Sequence, residues 1–272
     1  MRRVGPCASR LAVFASVLLV VLASEAQAVI LCDAPDEHLT AGRAEFQGVG
    51  YLSTCGGTTG VLVSPMHVLT ARHAVDDIAG ATFALPDAGG MRHFTIAAKH
   101  EHPDADVDLV ILELTECADF GGYGLYTGRD EVGQSGIVVG FGVSGVGRPQ
   151  PDEYPGGAGR FGYNMIEASS AAYLKMRFDC LPEEQEAVIG RGDSGGPTFL
   201  SVDGELLVAG IHKAVSDFNA DGIAPEYGDV AFDVRVSDYA DWIYQTVPEP
   251  GSVVLVALGG LAVLLRRYAP RR

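Results

Sequence analysis

The sequence predicts an all-β body, and three observations carry that prediction. Short runs that are apolar throughout or alternate apolar with polar residues recur at 49–53, 60–64, 67–70, 94–98, 109–114, 136–141, 172–178, 197–202, 206–211 and 230–234, the period of strands with one or both faces buried. Gly, Pro, Asp and Asn punctuate these runs, and those residues turn the chain. No long stretch of the body holds a helical period until 236–243, where Val236-Ser237-Asp238-Tyr239-Ala240-Asp241-Trp242-Ile243 reads as a short closing helix with Ser237 as its N-cap. A body of this length suits one large β unit or two small barrels that share a cleft. The Gly-rich, polar stretch at 117–135 divides the strands about evenly.

The two ends of the 272-residue chain read as addresses. Arg2, Arg3 and Arg10 precede an apolar run over 11–23 and the small residues Ala26-Gln27-Ala28. That is the layout of a signal peptide cut after Ala28, and the run falls short of the ~20 residues a membrane span needs. At the other end Pro248-Glu249-Pro250 leads into an apolar segment over 252–265 and then Arg266, Arg267, Arg271 and Arg272. Arginines beyond a short apolar segment stay on the cytoplasmic side, which leaves the body outside. This tail resembles the PEP-CTERM sorting signal of Gram-negative bacteria, and the resemblance implies export and processing by exosortase. Contact with a membrane is expected only through that tail, a plain anchor being the simpler alternative. The domain reading is therefore 1–28 signal peptide, 29–246 folded domain and 247–272 sorting tail.

The body, residues 29–247, holds 12 Lys and Arg against 33 Asp and Glu, a net charge of −21. Such a surface repels phosphate backbones, which excludes nucleic-acid binding. Removal of the signal takes Cys7 with it and leaves Cys32, Cys55, Cys117 and Cys180. Four cysteines in an exported chain suggest disulfides, with three pairings open. No paired Cys or His spacing calls for structural zinc, and no metal or cofactor is expected.

Three segments carry chemistry. Gly190-Arg191-Gly192-Asp193-Ser194-Gly195-Gly196-Pro197 is a loop whose glycines let the backbone turn tightly and aim the N–H groups of Gly192 and Ser194 at one point. A negative oxygen formed when a serine attacks a carbonyl would be held there. A serine hydroxyl needs a base, and the base needs a partner that fixes its tautomer. The apolar run ending in Thr70-Ala71-Arg72-His73 supplies an imidazole, and Asp108-Leu109-Val110-Ile111-Leu112 supplies a carboxylate at the mouth of a buried strand. A carboxylate there needs a donor, and an imidazole N–H provides one. Asp106 is its rival, set aside because the apolar run starts directly after Asp108. His67, His93, His100 and His102 read as surface or turn residues.

In this order the three blocks resemble the chymotrypsin/trypsin superfamily of serine proteases. Weaker matches at Cys55-Gly56-Gly57-Thr58, Val139-Gly140-Phe141-Gly142, Val208-Ala209-Gly210-Ile211 and the closing 235–243 segment extend the likeness over nearly the whole body. The resemblance implies two six-stranded antiparallel β-barrels with the site between them and a protein or peptide substrate. By position it implies His73 as general base and then acid, Asp108 as its orienting acid, Ser194 as the acylated nucleophile, and Gly192 and Ser194 as oxyanion donors.

The chain departs from the family in three places. Ala74 stands where many relatives carry the cysteine that bridges to the one matching Cys55. No Ile-Val-Gly-Gly start is visible, but a cut after Ala28 would expose Val29-Ile30, about where the family's new amino terminus lies and pairs with the aspartate before the serine, here Asp193. Val188 occupies the position of trypsin's charge-selecting acid, so uncharged substrate side chains are expected, with Asp233 near the expected rear wall as a dissenting charge. The segment Asp217-Phe218-Asn219-Ala220-Asp221-Gly222 has the oxygens of a calcium loop, but Gly228 replaces its closing Glu, and a solvated acidic turn is expected. Two other classes compete with the protease. A silent binding or adhesion module on the same fold would ordinarily have lost a triad member. An α/β-hydrolase would need its acid and histidine after the serine, where only Asp203 and His212 are offered.

Overall fold

The computed structural model describes residues 29–32, 44–147, 159–179, 185–220 and 222–247. The expected signal peptide, the sorting tail from 248 onward, Cys180 and Asp221 lie outside them. The described residues begin with a three-residue strand, β1 (Val29–Leu31), buried along its whole length.

The first half is a closed six-stranded barrel. Its strands are β2 (Val49–Leu52), β3 (Thr58–Ser64), β4 (His67–Thr70), β5 (Thr82–Asp87), β6 (Gly90–Glu101) and β7 (Val110–Leu114), antiparallel in the order β2-β3-β4-β7-β6-β5. Closure comes from β2 against β5, with Leu52 opposite Phe83. The unbroken apolar runs of β3, β4 and β7 follow from burial on both faces. Alternate residues point to opposite sides of a sheet, and here Leu62, Val68, Val110 and Leu112 fill the barrel while Val61, Leu69 and Ile111 face the second half.

The second half contains β8 (Gly124–Leu125), β9 (Ser135–Gly140), β10 (Ser144–Val146), β11 (Arg160–Met165), β12 (Ala168–Ser169), β13 (Tyr173–Arg177), β14 (Ala187–Val188), β15 (Pro197–Val202), β16 (Glu205–Ser216) and β17 (Val230–Arg235). It forms a half-barrel in which the run 160–169 pairs with β9 through β11 and with β13 through β12. The order is β11-β9-β15-β16-β17-β13-β12, with β8 added to β16. The free edge of β11 is occupied by the chain at 185–186, where Tyr163 N–H donates to Gln185 O at 3.1 Å and Tyr163 bridges Glu186. A small sheet, β10-β1-β14, packs alongside and buries Ile30 and Leu31 in the second core.

The helix α1 (Ala240–Thr246) closes the chain and buries Ile243 in the shared core. Its boundary differs from the sequence reading. Residues Val236–Asp238 form a 3-10 turn, and Tyr239, with no side-chain cap bond, stands at the N-cap. Ser237 Oγ instead donates to Glu131 Oε1 at 3.2 Å. Glu131 is fully buried and accepts two further bonds from Arg235, Nε at 2.8 Å and Nη2 at 2.6 Å. A buried carboxylate needs such a fork, and the pair ties the crossover between the halves to the end of β17.

Candidate active site

The three sequence-predicted residues come from three different elements and meet at the seam of the halves. His73 lies in the 3-10 turn Arg72–Ala74 directly after β4, Asp108 precedes β7, and Ser194 lies in the loop between β14 and β15. The β4–β7 pairing brings the first two together, since Thr70 is opposite Val110 and Arg72 N–H donates to Asp108 O at 3.3 Å. Thr54 Oγ1 donates to Ala74 O at 2.7 Å and holds the far side of the turn.

His73 Nδ1 lies 2.8 Å from Asp108 Oδ2, and His73 N–H donates to Asp108 Oδ1 at 2.9 Å. These two bonds fix the ring against the carboxylate, so Nδ1 carries the hydrogen and Nε2 is left as the acceptor. Ser194 Oγ stands 2.9 Å from that Nε2. Burial alone pushes the Asp108 carboxyl up, but donors outweigh it. The His73 ring, the Lys213 ammonium and the His73 N–H together hold it well below the usual carboxylate range. Asp106, its rival, is exposed, and its N–H caps onto Asp104.

The Ser194 loop is held from both halves. Arg191 O accepts from Val143 N–H at 2.7 Å, and Asp193 O accepts from Gly196 N–H at 2.9 Å. In a trans peptide the N–H points opposite to the C=O, so the Gly192 and Ser194 N–H groups point away from those two bonds. Thr59 Oγ1 donates to Gly192 O at 3.0 Å, and Thr59 N–H donates to Ser194 O at 3.0 Å. Gly195 sits at φ +82°, and a Cβ there would come 1.8 Å from Thr70 Oγ1. Only glycine fits where the loop crosses β4. A cleft of about 200 Å³ opens beside Ser194, lined by Cys55, His73, Val143, Arg191 and Gly192 among others.

Behind the loop, Asp193 is fully buried and accepts N–H bonds from Gly190 at 2.7 Å and Gly142 at 2.8 Å. The Val29 N–H also donates to it. Burial pushes the carboxyl up to about 6, opposed by the Gly190 and Gly142 N–H groups, His212 and the Val29 N–H in that order. Val29 has φ +66°, a strained value for a β-branched residue.

Val188 is buried, and its backbone pairs with Ile30. Asp233 is likewise fully buried, with Oδ1 on His212 Nδ1 at 3.0 Å and Oδ2 accepting from Thr198 Oγ1 at 2.5 Å. That Asp-His-Thr cluster escaped the sequence reading, because His212 and Asp233 fall on different strands and only the β16–β17 register, which sets them opposite each other, joins them. His102, read as a surface or turn residue, packs edge-on against Tyr239 and Trp242 at 5.4 and 4.9 Å, which braces the loop leading to Asp108. In the acidic segment Asp217 accepts from Ala220 N–H at 2.6 Å and from Gly222 N–H at 2.8 Å, while Phe218 N–H donates to Asp229 Oδ1 at 2.8 Å and Asn219 Nδ2 to Glu226 Oε1 at 2.7 Å.

A hydroxyl set on an imidazole that is itself locked to a buried carboxylate is the means by which serine hydrolases make a nucleophile. Comparison with known proteins narrows the class. Residues 37–243 match the Trypsin family model, and the chain belongs to that family. Residues 246–272 match the PEP-CTERM protein-sorting motif. An uncharacterized peptidase of Corynebacterium glutamicum strain R and a putative peptidase of C. glutamicum strain ATCC 13032 are each 27% identical over 197 residues, covering 68% of this chain. The match spans 62% of the length of those relatives. Among solved structures, neuropsin, a serine protease expressed in the limbic system of mouse brain, aligns with a TM-score of 0.58 at 20% identity over 75% of this chain and 95% of its own, a likeness of fold.

Proposed function

We propose that the chain is an exported serine endopeptidase that hydrolyses peptide bonds through an acyl-enzyme on Ser194. The observation that carries this reading is the continuous relay from Asp108 through His73 to Ser194 Oγ, with every link at 2.8–2.9 Å. His73 takes the hydroxyl proton as Oγ attacks the substrate carbonyl and returns it to the leaving amine. Asp108 holds the ring and offsets the charge of the imidazolium. The Gly192 and Ser194 N–H groups stabilise the oxyanion. No metal or cofactor enters these steps. The preference is for uncharged side chains, since Val188 offers no charge and both oxygens of Asp233 are already engaged. A fluorophosphonate probe should label Ser194 alone, and a peptide library should be cut after uncharged residues. An unlabelled Ser194 in folded protein would refute the enzyme reading.

Export, by a signal peptide cut after Ala28 and a tail read by exosortase, places the body in the periplasm, at the cell surface or outside a Gram-negative cell. It also creates the working amino terminus. A free Val29 has no φ to strain, and its ammonium would stand where the Val29 N–H already meets Asp193.

In that oxidising setting Cys32 pairs with Cys180. Cys55 and Cys117 are free and exposed. Cys32 is buried, and its N–H donates to Glu186 O at 2.9 Å, while the Glu186 carboxylate accepts the N–H of Asp179, the neighbour of Cys180. Non-reducing peptide mapping is expected to recover a Cys32–Cys180 cross-link with alkylated Cys55 and Cys117, and Cys32→Ser should cost about 2–5 kcal/mol of stability. Recovery of any other pairing removes this assignment.

A further inference from the structure

Asp108 accepts from two side chains. Besides His73, its Oδ2 accepts from Lys213 Nζ at 2.8 Å, the same distance as from His73 Nδ1. Lys213 owes this aim to a β-bulge, because the register of β16 against β17 slips between His212 and Ala214 and Lys213 is the extra residue. Bulges re-aim side chains beside active sites. His212 points into the core and is fully buried, whereas the Lys213 side chain is 30% exposed and reaches Asp108. Its ammonium also stands 5.7 Å above the Tyr173 ring, a second contact that favours the charged form.

We infer that Lys213 is a positioning residue of the proposed triad, which holds Asp108 in place and offsets its charge so that His73 gives up its proton at lower pH than the carboxylate alone would allow. The inference rests on the protease reading of the same site. With Lys213 present, the resting Asp108, Lys213 and neutral His73 sum to zero, and an imidazolium makes the cluster net positive. Without Lys213 the resting pair is net negative, and the imidazolium neutralises it. The lysine therefore disfavours premature protonation of the base.

The other charged groups around the pair are directed elsewhere. Arg72 donates to His102 O and to Ala105 O and stands 3.8 Å from Glu101. From the loop before β7, Asp104 and Asp106 are exposed. From the turn before β3, Cys55 Sγ reaches His73 O at 3.7 Å. Arg191 lines the cleft beyond Ser194, and Asp193 is buried beneath it. Among the described residues Lys213 is the lysine or arginine whose side chain bonds the Asp108 carboxylate.

The test is the pH dependence of fluorophosphonate inactivation, which needs no natural substrate and reads the ionisation of the base. Lys213→Met and Lys213→Gln remove the charge from a partly exposed side chain, and two neutral variants guard against one that fails to fold. Lys213→Arg keeps the charge. The acid limb of both neutral variants is expected to move to higher pH by on the order of one unit, with Lys213→Arg keeping the wild-type limb. A neutral variant that is slower at every pH with its limb unmoved overturns the inference and leaves the protease reading intact. A wild-type protein that no fluorophosphonate labels at any pH overturns both.

Discussion

Ser194→Ala is expected to abolish turnover, by on the order of a million-fold in kcat, with no loss of fold. Among the described residues the hydroxyl makes one hydrogen bond, at 2.9 Å to His73 Nε2. Everything else that holds residue 194 is backbone, including Ser194 O on Thr59 N–H and the Asp193–Gly196 turn. Alanine keeps those bonds and removes only the nucleophile. His73→Ala should fall by a similar factor, and the double variant by little more, because the two groups act as one unit. Initial rates on a peptide substrate, with a thermal melt of each variant, check this. A Ser194→Ala protein that still turns over, with a melt equal to wild type, would remove Ser194 from its proposed role.

Adding one residue before Val29 is expected to lower activity by about 10²–10³-fold, the scale of losing an oxyanion donor. The reason is the position of Asp193. Its carboxyl is buried under the same loop that aims Gly192 and Ser194, and with an amide at Val29 it is pushed up to about 6. Since 6 lies above the ordinary value of 3.8, the folded chain holds a proton between these values that the unfolded chain has released. The stability of the extended protein therefore falls as pH rises through that window, and the full penalty remains above 6.

A free ammonium at Val29 supplies a countercharge and lowers that carboxyl. The α-amine gains a partner, so its own contribution is complete below its ordinary value of about 8 and fades as pH rises beyond its folded value. The melting temperatures of the processed and extended proteins are thus expected to diverge as pH rises from about 4 to 6 and to converge again under alkaline conditions. Equal activity and parallel melting curves across that range would dismiss the role of the new terminus.

The three candidate residues stood out in the sequence through their immediate neighbours. His73 follows the run through Thr70, Asp108 opens the run from Leu109, and Ser194 stands in the glycine loop before Pro197. In the first barrel β2, β3, β4, β6 and β7 were legible as apolar or alternating runs, whereas β5 was not. Edge strands such as β8 and β12, each two residues long, left no period to detect. The β11 edge could not be foreseen either, since its partner at 185–186 lies more than twenty residues away and is polar.

Local chemistry thus determined the β class, the chain order of His73, Asp108 and Ser194 and the acidic character of the body, because backbone period and side-chain type are properties of neighbours in the chain. Long-range register decided the rest. It set His212 against Asp233, turned Lys213 through a bulge onto Asp108, and brought the Val29 N–H to Asp193. Those contacts join groups whose separation along the chain carries no pattern. Each is decided by which strand lies beside which, and a single-residue slip would send every one of these side chains to the opposite face of its sheet.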